Sequence, residues 1–254
     1  GIKRLTGLIK GPNHFVIWAA PSYILSLSMI GNSGLRLRRR CLYLLVFLLS
    51  LTCIALTASR GGILATSLGT VLFLVSPRVG KGYNKTGVVL LLLISLTVLY
   101  LLAVYGLKID VLGIIAKRMS DSGGSGRVRI WTNAFRILRR YPFVGIGLYN
   151  FQYYNLHLFD DIHYAHNTFL EVFVEGGSIG GLLFLSCIIM FVLDRPQTRM
   201  LAILKLVIYT QLSALFFLSG ILAESVYLTL AIYKGLKARA RTSIVRVSVG
   251  SSVS

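Results

Sequence analysis

Long apolar blocks alternate with short basic loops along this chain. The apolar runs cover roughly 14–31, 41–58, 61–77, 87–106, 168–193 and 201–223, and a shorter one covers 225–236. A helix rising 1.5 Å per residue needs about 20 residues to cross ~30 Å of hydrocarbon. Lipid offers the backbone no hydrogen-bond partners, so such blocks must be helical. The pattern predicts an all-α, polytopic transmembrane helix bundle of about 6–7 spans. Residues 225–236 are short for a crossing, and the pattern leaves open whether they make one. The long polar interruption is 107–166. Within it SGGSGRVRIWTNAFRILRRYP predicts a helix capped near Ser125 and closed by Pro142. Trp131, Phe135 and Leu138 recur at i, i+4 and i+7 with Arg127 on the same side, which reads as an amphipathic helix. No internal repeat or low-complexity segment is visible.

Composition strengthens the membrane reading. Of 254 residues 55% are hydrophobic and 14% charged, against about 25% charged in soluble domains. Cys41, Cys53 and Cys187 lie in or beside apolar blocks and form no disulfide or zinc pattern. The chain starts at Gly1 and shows no signal-peptide pattern. The expectation is a single transmembrane domain over 1–254, truncated at its N-terminus.

Charge sets the sidedness. A net charge of +19 would suit nucleic acid or an anionic surface, but basic short loops also orient helices toward the cytoplasm. Residues 35–40, 78–85, 194–199 and the tail hold fourteen of the 27 Lys and Arg residues on one consistent face. Lys205, near the inner end of its span, reads as a snorkelling side chain. The N-terminal segment, the TASRGG connection and the 107–166 loop then face outward. They carry the other twelve basic residues, and with the helix ends beside them this side holds seven of the eight acids, all but Asp194. A basic outer face opposes the orientation signal, so an anionic lipid-linked substrate rather than nucleic acid is its expected partner, beside the lipid bilayer itself.

Candidate chemistry falls on that outer side. Arg60, in SRGG between two apolar blocks, is either an interfacial anchor or a phosphate ligand, for which a planar guanidinium is suited. The glycines after it permit close approach of a ligand or a neighbouring helix. Arg136, Arg139 and Arg140 read as headgroup-facing residues of the amphipathic helix. Arg127, at the start of its apolar face, points inward. In DDIHYAHNTFLEVFVEGG, Asn167, Glu171 and Glu175 share one helical face behind His166 at the helix mouth. An imidazole there suits proton transfer. The carboxylates either orient it or complement the positive helix start. Asp161, His163 and His166 fit no standard metal spacing, and Asp160 with Asp161 leaves a glycosidase-like carboxylate pair open.

Taken in order, the motifs resemble a known family. Arg-x-x-Gly…Pro-Asn (Arg4, Gly7, Pro12, Asn13), SRGG, GR-x-x-x-W, P-x-x-G-x-G, AHN-x-x-L-E and GG-x-x-GG-x-x-F resemble the O-antigen ligases and polysaccharide polymerases. The resemblance implies a glycosyltransferase of the bacterial cytoplasmic membrane with its site facing outward. The implied donor is an undecaprenyl-pyrophosphate-linked glycan, and the implied acceptor a hydroxyl of a glycan or lipid A core. It further implies a reaction without metal or cofactor, with Arg4, Arg60 and Arg127 on the pyrophosphate and His166 on the acceptor hydroxyl. A single displacement would invert the anomeric centre. A flippase or transporter binding the same lipid-linked anion is the alternative, although such proteins often show internal repeats.

Overall fold

The computed structural model describes residues 11–32, 34–57, 59–80, 84–106, 126–220 and 223–250. These are helical, with no strand among the described residues. The elements are α1 (Pro12–Ile30), α2 (Leu37–Leu56), α3 (Arg60–Val75), the short α4 (Pro77–Gly80) and α5 (Lys85–Leu101), which runs on as a π-turn over Leu102–Gly106. Then come α6 (Arg127–Arg140), α7 (Phe151–Phe159), α8 (Thr168–Leu193), α9 (Arg199–Ala214) with a 3-10 turn at Leu215–Phe217, and α10 (Glu224–Gly250). Among the described residues four stretches are long and apolar enough to cross a membrane: Leu37–Leu56, Lys85–Tyr105, Thr168–Leu193 and Arg199–Phe217. The apolar helices His14–Ile30 and Arg60–Val75 are shorter. The chain is thus the all-helical membrane bundle that its hydropathy predicts. Residues 225–236 begin one continuous helix with the basic tail.

The chain forms two compact units, one of residues 1–88, 194–214 and 222–254 and one of residues 89–193 and 215–221. In the first, α9 is the central helix, buried from Leu201 to Ile208 with a single charged residue, Lys205, in that stretch. A helix apolar all round belongs inside a bundle. Small residues let its neighbours approach: a Cβ at Gly69 of α3 would stand 2.0 Å from Thr210 Oγ1, and one at Gly62 would stand 2.5 Å from Val16 of α1. Of the two readings of the glycines after Arg60, Gly62 therefore serves helix packing. Polar groups in this core reach between helices, with Gln211 Nε2 and Ser225 Oγ both donating to the Ile17 carbonyl at 3.3 and 3.4 Å.

Lys205 corrects the sequence reading. It does not snorkel to the surface; it is buried and donates to the carbonyl of Asp194. The Asp194 carboxylate is ion-paired with Lys237 and accepts from Tyr233 Oη at 2.9 Å. One acid on the basic side of the chain thus ties the α8–α9 connection to α10.

Candidate functional site

The second unit builds its site around α6. Its buried face is Ile130, Asn133, Ala134 and Ile137, which form a core with Ile146, Phe151, Ala165 and Val174. The expected stripe of Trp131, Phe135 and Leu138 is therefore one residue, about 100°, away from the true one. Phe135 is exposed. Two polar contacts explain the rotation. Asn133 Nδ2 donates to Asn155 Oδ1 of α7 at 3.0 Å, a buried pair. Trp131 lies at the edge of the core and donates through Nε1 to the Ala165 carbonyl at 2.9 Å. Arg127 leads the helix; its Nη2 donates to the Phe217 carbonyl at 3.4 Å and its guanidinium lies 5.7 Å from the Phe217 ring centroid.

Residues 160–167 link α7 to α8, and their backbone is pinned along its length. Asp161 N–H donates to the Asn155 carbonyl (3.3 Å). Asn155 Nδ2 donates to the His163 carbonyl (3.0 Å) and Gln152 Nε2 to that of Ile162 (2.7 Å). His166 stands at φ 49, a left-handed conformation costing a non-glycine residue of order 1 kcal/mol or more. Its N–H donates to Ser219 Oγ at 2.9 Å. The next residue but one, Thr168, donates its hydroxyl to the Leu218 carbonyl at 2.7 Å and accepts from Gly220 N–H at 3.0 Å. Segment 217–220 thus receives both Arg127 and the His166 backbone. His166 is half-buried.

A second cluster lies in the same loop. The Asp161 carboxylate is buried. Its Oδ2 accepts from Arg129 Nε and Nη2 at 3.1 Å, and its Oδ1 accepts from the backbone N–H of His163 and meets the His163 ring at Nδ1, 2.6 Å away. Burial alone would raise the Asp161 pKa. The hydrogen bonds from His163 and the positive charge of Arg129 outweigh it and hold the carboxyl below its usual value. Among the described residues no three His, Cys, Asp or Glu side chains gather as a metal cage.

Behind His166, Asn167 is the cap of α8, its Oδ1 accepting from Leu170 N–H at 3.1 Å. Glu171 is buried, with Ser219 as its side-chain hydrogen-bond partner. Glu175 is also buried, and its Oε1 accepts from the N–H of Phe151 at 3.1 Å. It therefore braces the start of α7. Just after it α8 kinks at Gly177 (φ 65, ψ −170), and the turn 142–147 docks into the kink. Ser178 N–H donates to the Pro142 carbonyl (2.8 Å), Ile179 N–H to Phe143 (3.2 Å), Ile146 N–H to Val174 (3.2 Å) and Gly147 N–H to Glu175 (2.9 Å). A Cβ at Gly145 would lie 2.4 Å from the Glu175 carbonyl oxygen, and one at Gly177 would lie 2.1 Å from that of Phe143. The P-x-x-G-x-G and GG motifs are the two halves of this backbone contact.

Residues 45–185 match the family model described as O-Antigen ligase, more than half of the chain. The chain belongs to the O-antigen ligase family. No curated protein and no solved structure matches it. Family membership, with the apolar helices, makes it a membrane protein of glycosyltransferase type.

The matched region of this O-antigen ligase-family chain contains Arg60, Arg127, His166, Glu171 and Glu175, and Asn167 with them. Arg60 opens α3, whose cap Ser59 accepts from Gly62 N–H at 2.9 Å, and its side chain is exposed. It belongs to the other compact unit. Arg4 lies outside the described residues. Sequence reasoning missed Arg129 and Asp161 as partners, and it missed segment 217–220 altogether. Serine and glycine in an apolar run, at Ser219 and Gly220, were the only available signal.

Proposed function

We propose that this protein transfers a glycan from undecaprenyl pyrophosphate to an acceptor sugar hydroxyl at the outer side of the bacterial cytoplasmic membrane, as an O-antigen ligase or polysaccharide polymerase. One observation carries the reading: Arg127 and the His166 backbone are anchored two residues apart, on Phe217 and Ser219. A permanent cation and a titratable imidazole at one helix mouth are what displacement of a pyrophosphate by a hydroxyl requires.

In the proposed step the acceptor oxygen attacks the anomeric carbon while the bond from that carbon to the pyrophosphate oxygen breaks. The hydroxyl proton passes to His166 as general base. The bonding electrons leave on the pyrophosphate, whose gathering charge is met by Arg127. Preorganised cations are most effective at this point, where charge develops. One displacement inverts the centre, and the reading calls for no metal. Asn167 and Glu175 support the site by fixing its helices, and Glu171 by its contact with Ser219. The loop 107–166, on the outer side, would carry His166 and Arg127.

The deciding experiment supplies purified protein in liposomes with a lipid-linked glycan and a hydroxyl acceptor. The expected result is acceptor carrying the glycan and free undecaprenyl pyrophosphate. Movement of intact donor across the bilayer without cleavage would replace this reading with that of a carrier.

A further inference from the structure

The 142–145 turn is held against α8 at one height. Ser178 and Ile179 donate their N–H groups to the carbonyls of Pro142 and Phe143, and the Ser178 hydroxyl reinforces the Pro142 bond at 2.6 Å. Glycine at 145 and 177 lets the two backbones touch. That height coincides with a change in the surface of α8. Before the kink α8 shows no large apolar side chain fully to the outside, whereas from Ile179 onward Leu182, Leu183, Ile189, Met190 and Leu193 are all exposed. An apolar face laid bare along a helix long enough to cross a bilayer is a lipid-facing face. The turn therefore sits at the upper edge of that face. Its own side chains are uncovered there, Phe143 at 70% and Val144 at 75% exposure. One turn earlier α6 ends in Arg139 and Arg140, both exposed.

We infer that Phe143 and Val144 form a wedge inserted into the hydrocarbon edge of one leaflet, with Arg139 and Arg140 on the phosphates of anionic phospholipids above it. The charge order fits that occupant. Two exposed aliphatic or aromatic side chains lie next to the lipid-facing stretch, and two guanidiniums lie next on the headgroup side. The consequence is positional. The wedge fixes the C-terminal end of α6 at the membrane surface, so Arg127 at its other end is held at a set height over the headgroups.

The test uses the full chain with Cys41, Cys53 and Cys187 replaced by alanine, a nitroxide on Val144→Cys, and vesicles of phosphatidylethanolamine with or without phosphatidylglycerol. Collision rates with oxygen and with a water-soluble nickel chelate report depth. Oxygen should dominate at position 144, as it should for a reference label on Met190→Cys. Arg139→Gln with Arg140→Gln should shift the label toward nickel at least two-fold in phosphatidylglycerol vesicles and less without that lipid. Nickel dominating at 144 overturns the wedge, and a depth unmoved by the double variant overturns the role of the arginines. Because a cysteine variant could insert poorly, a second readout is quenching of Phe143→Trp fluorescence by brominated lipid. Quenching no greater than for the parent protein would count equally against insertion.

Discussion

His163 and His166 share one loop and differ in surroundings. His163 is exposed and bonded through Nδ1 to Asp161; His166 is half-buried, in a left-handed conformation, with its N–H on Ser219. Holding a non-glycine residue in that conformation costs stability, and of the two imidazoles it is His166 that is held so and that the proposed reaction uses as base. His166→Ala should leave the protein inserted and donor binding largely intact while lowering glycan transfer roughly 10²–10⁴-fold, the usual worth of a general base. His163→Ala should cost much less. Transfer by membranes containing each variant, with donor binding measured alongside, reads the difference; near-normal transfer by His166→Ala removes it from the mechanism. Asp161 makes a separate prediction. Its folded pKa is depressed below the unfolded value, so its stabilisation is present above the ordinary carboxylate range, ~4, and is lost as pH falls through the folded value. Thermal unfolding in detergent should therefore show an acid-side loss that Asp161→Asn reduces. An unchanged acid limb in that variant would assign the loss to other groups. The cluster around His166 was legible from residue types alone, because acids and imidazoles are scarce in this chain and crowd there. The Arg129–Asp161 pair was not, because it joins residues 32 apart in sequence, and amphipathic periodicity carries no information about such a contact.

At the scale of elements, helix boundaries followed from apolar runs, whereas helix orientation depended on polar side chains. In α6 the wheel offers two apolar stripes. Burial chooses the one containing Asn133 because Asn155 satisfies it, which a hydrophobic count penalises rather than rewards. The kink in α8 was likewise hidden, since GGSIGG permits a bend at any of its four glycines. The structure places it at Gly177 and makes the four unequal. At Gly177 the backbone is in a region open essentially to glycine alone, and a Cβ would strike the Phe143 carbonyl. At Gly180 nothing lies within 4 Å of an added Cβ. Gly177→Ala should therefore destabilise the protein by roughly 1–3 kcal/mol or more. Gly180→Ala should be neutral or stabilising by up to about 1 kcal/mol, the helix propensity gain. Melting both variants in detergent tests the docking of 142–147 into the kink. Equal effects would show that the kink is not held by that contact.

At the scale of the whole chain, hydropathy and charge answer different questions. Hydropathy located the helices, including α9, yet it could not separate a lipid-facing helix from one enclosed by protein. Both are apolar. Packing small residues such as Gly69 against Thr210 is what marks α9 as enclosed, and that partner lies far away in sequence. Charge instead bears on direction. Short loops rich in Lys and Arg stay in the cytoplasm, which predicts 35–40 and 78–85 inside and 107–166 outside. Twelve basic residues, eight of them in 107–166, oppose this bias, so the prediction rests on the fourteen in the short loops and the tail outweighing them. It is checked by placing single cysteines at Ser122 and at Asn84 in a chain lacking Cys41, Cys53 and Cys187, then adding a membrane-impermeant maleimide to intact cells. Ser122→Cys should label before lysis and Asn84→Cys only after it. The reverse pattern would turn the loop toward the cytoplasm, away from any donor presented outside, and the proposed reaction would fall with it.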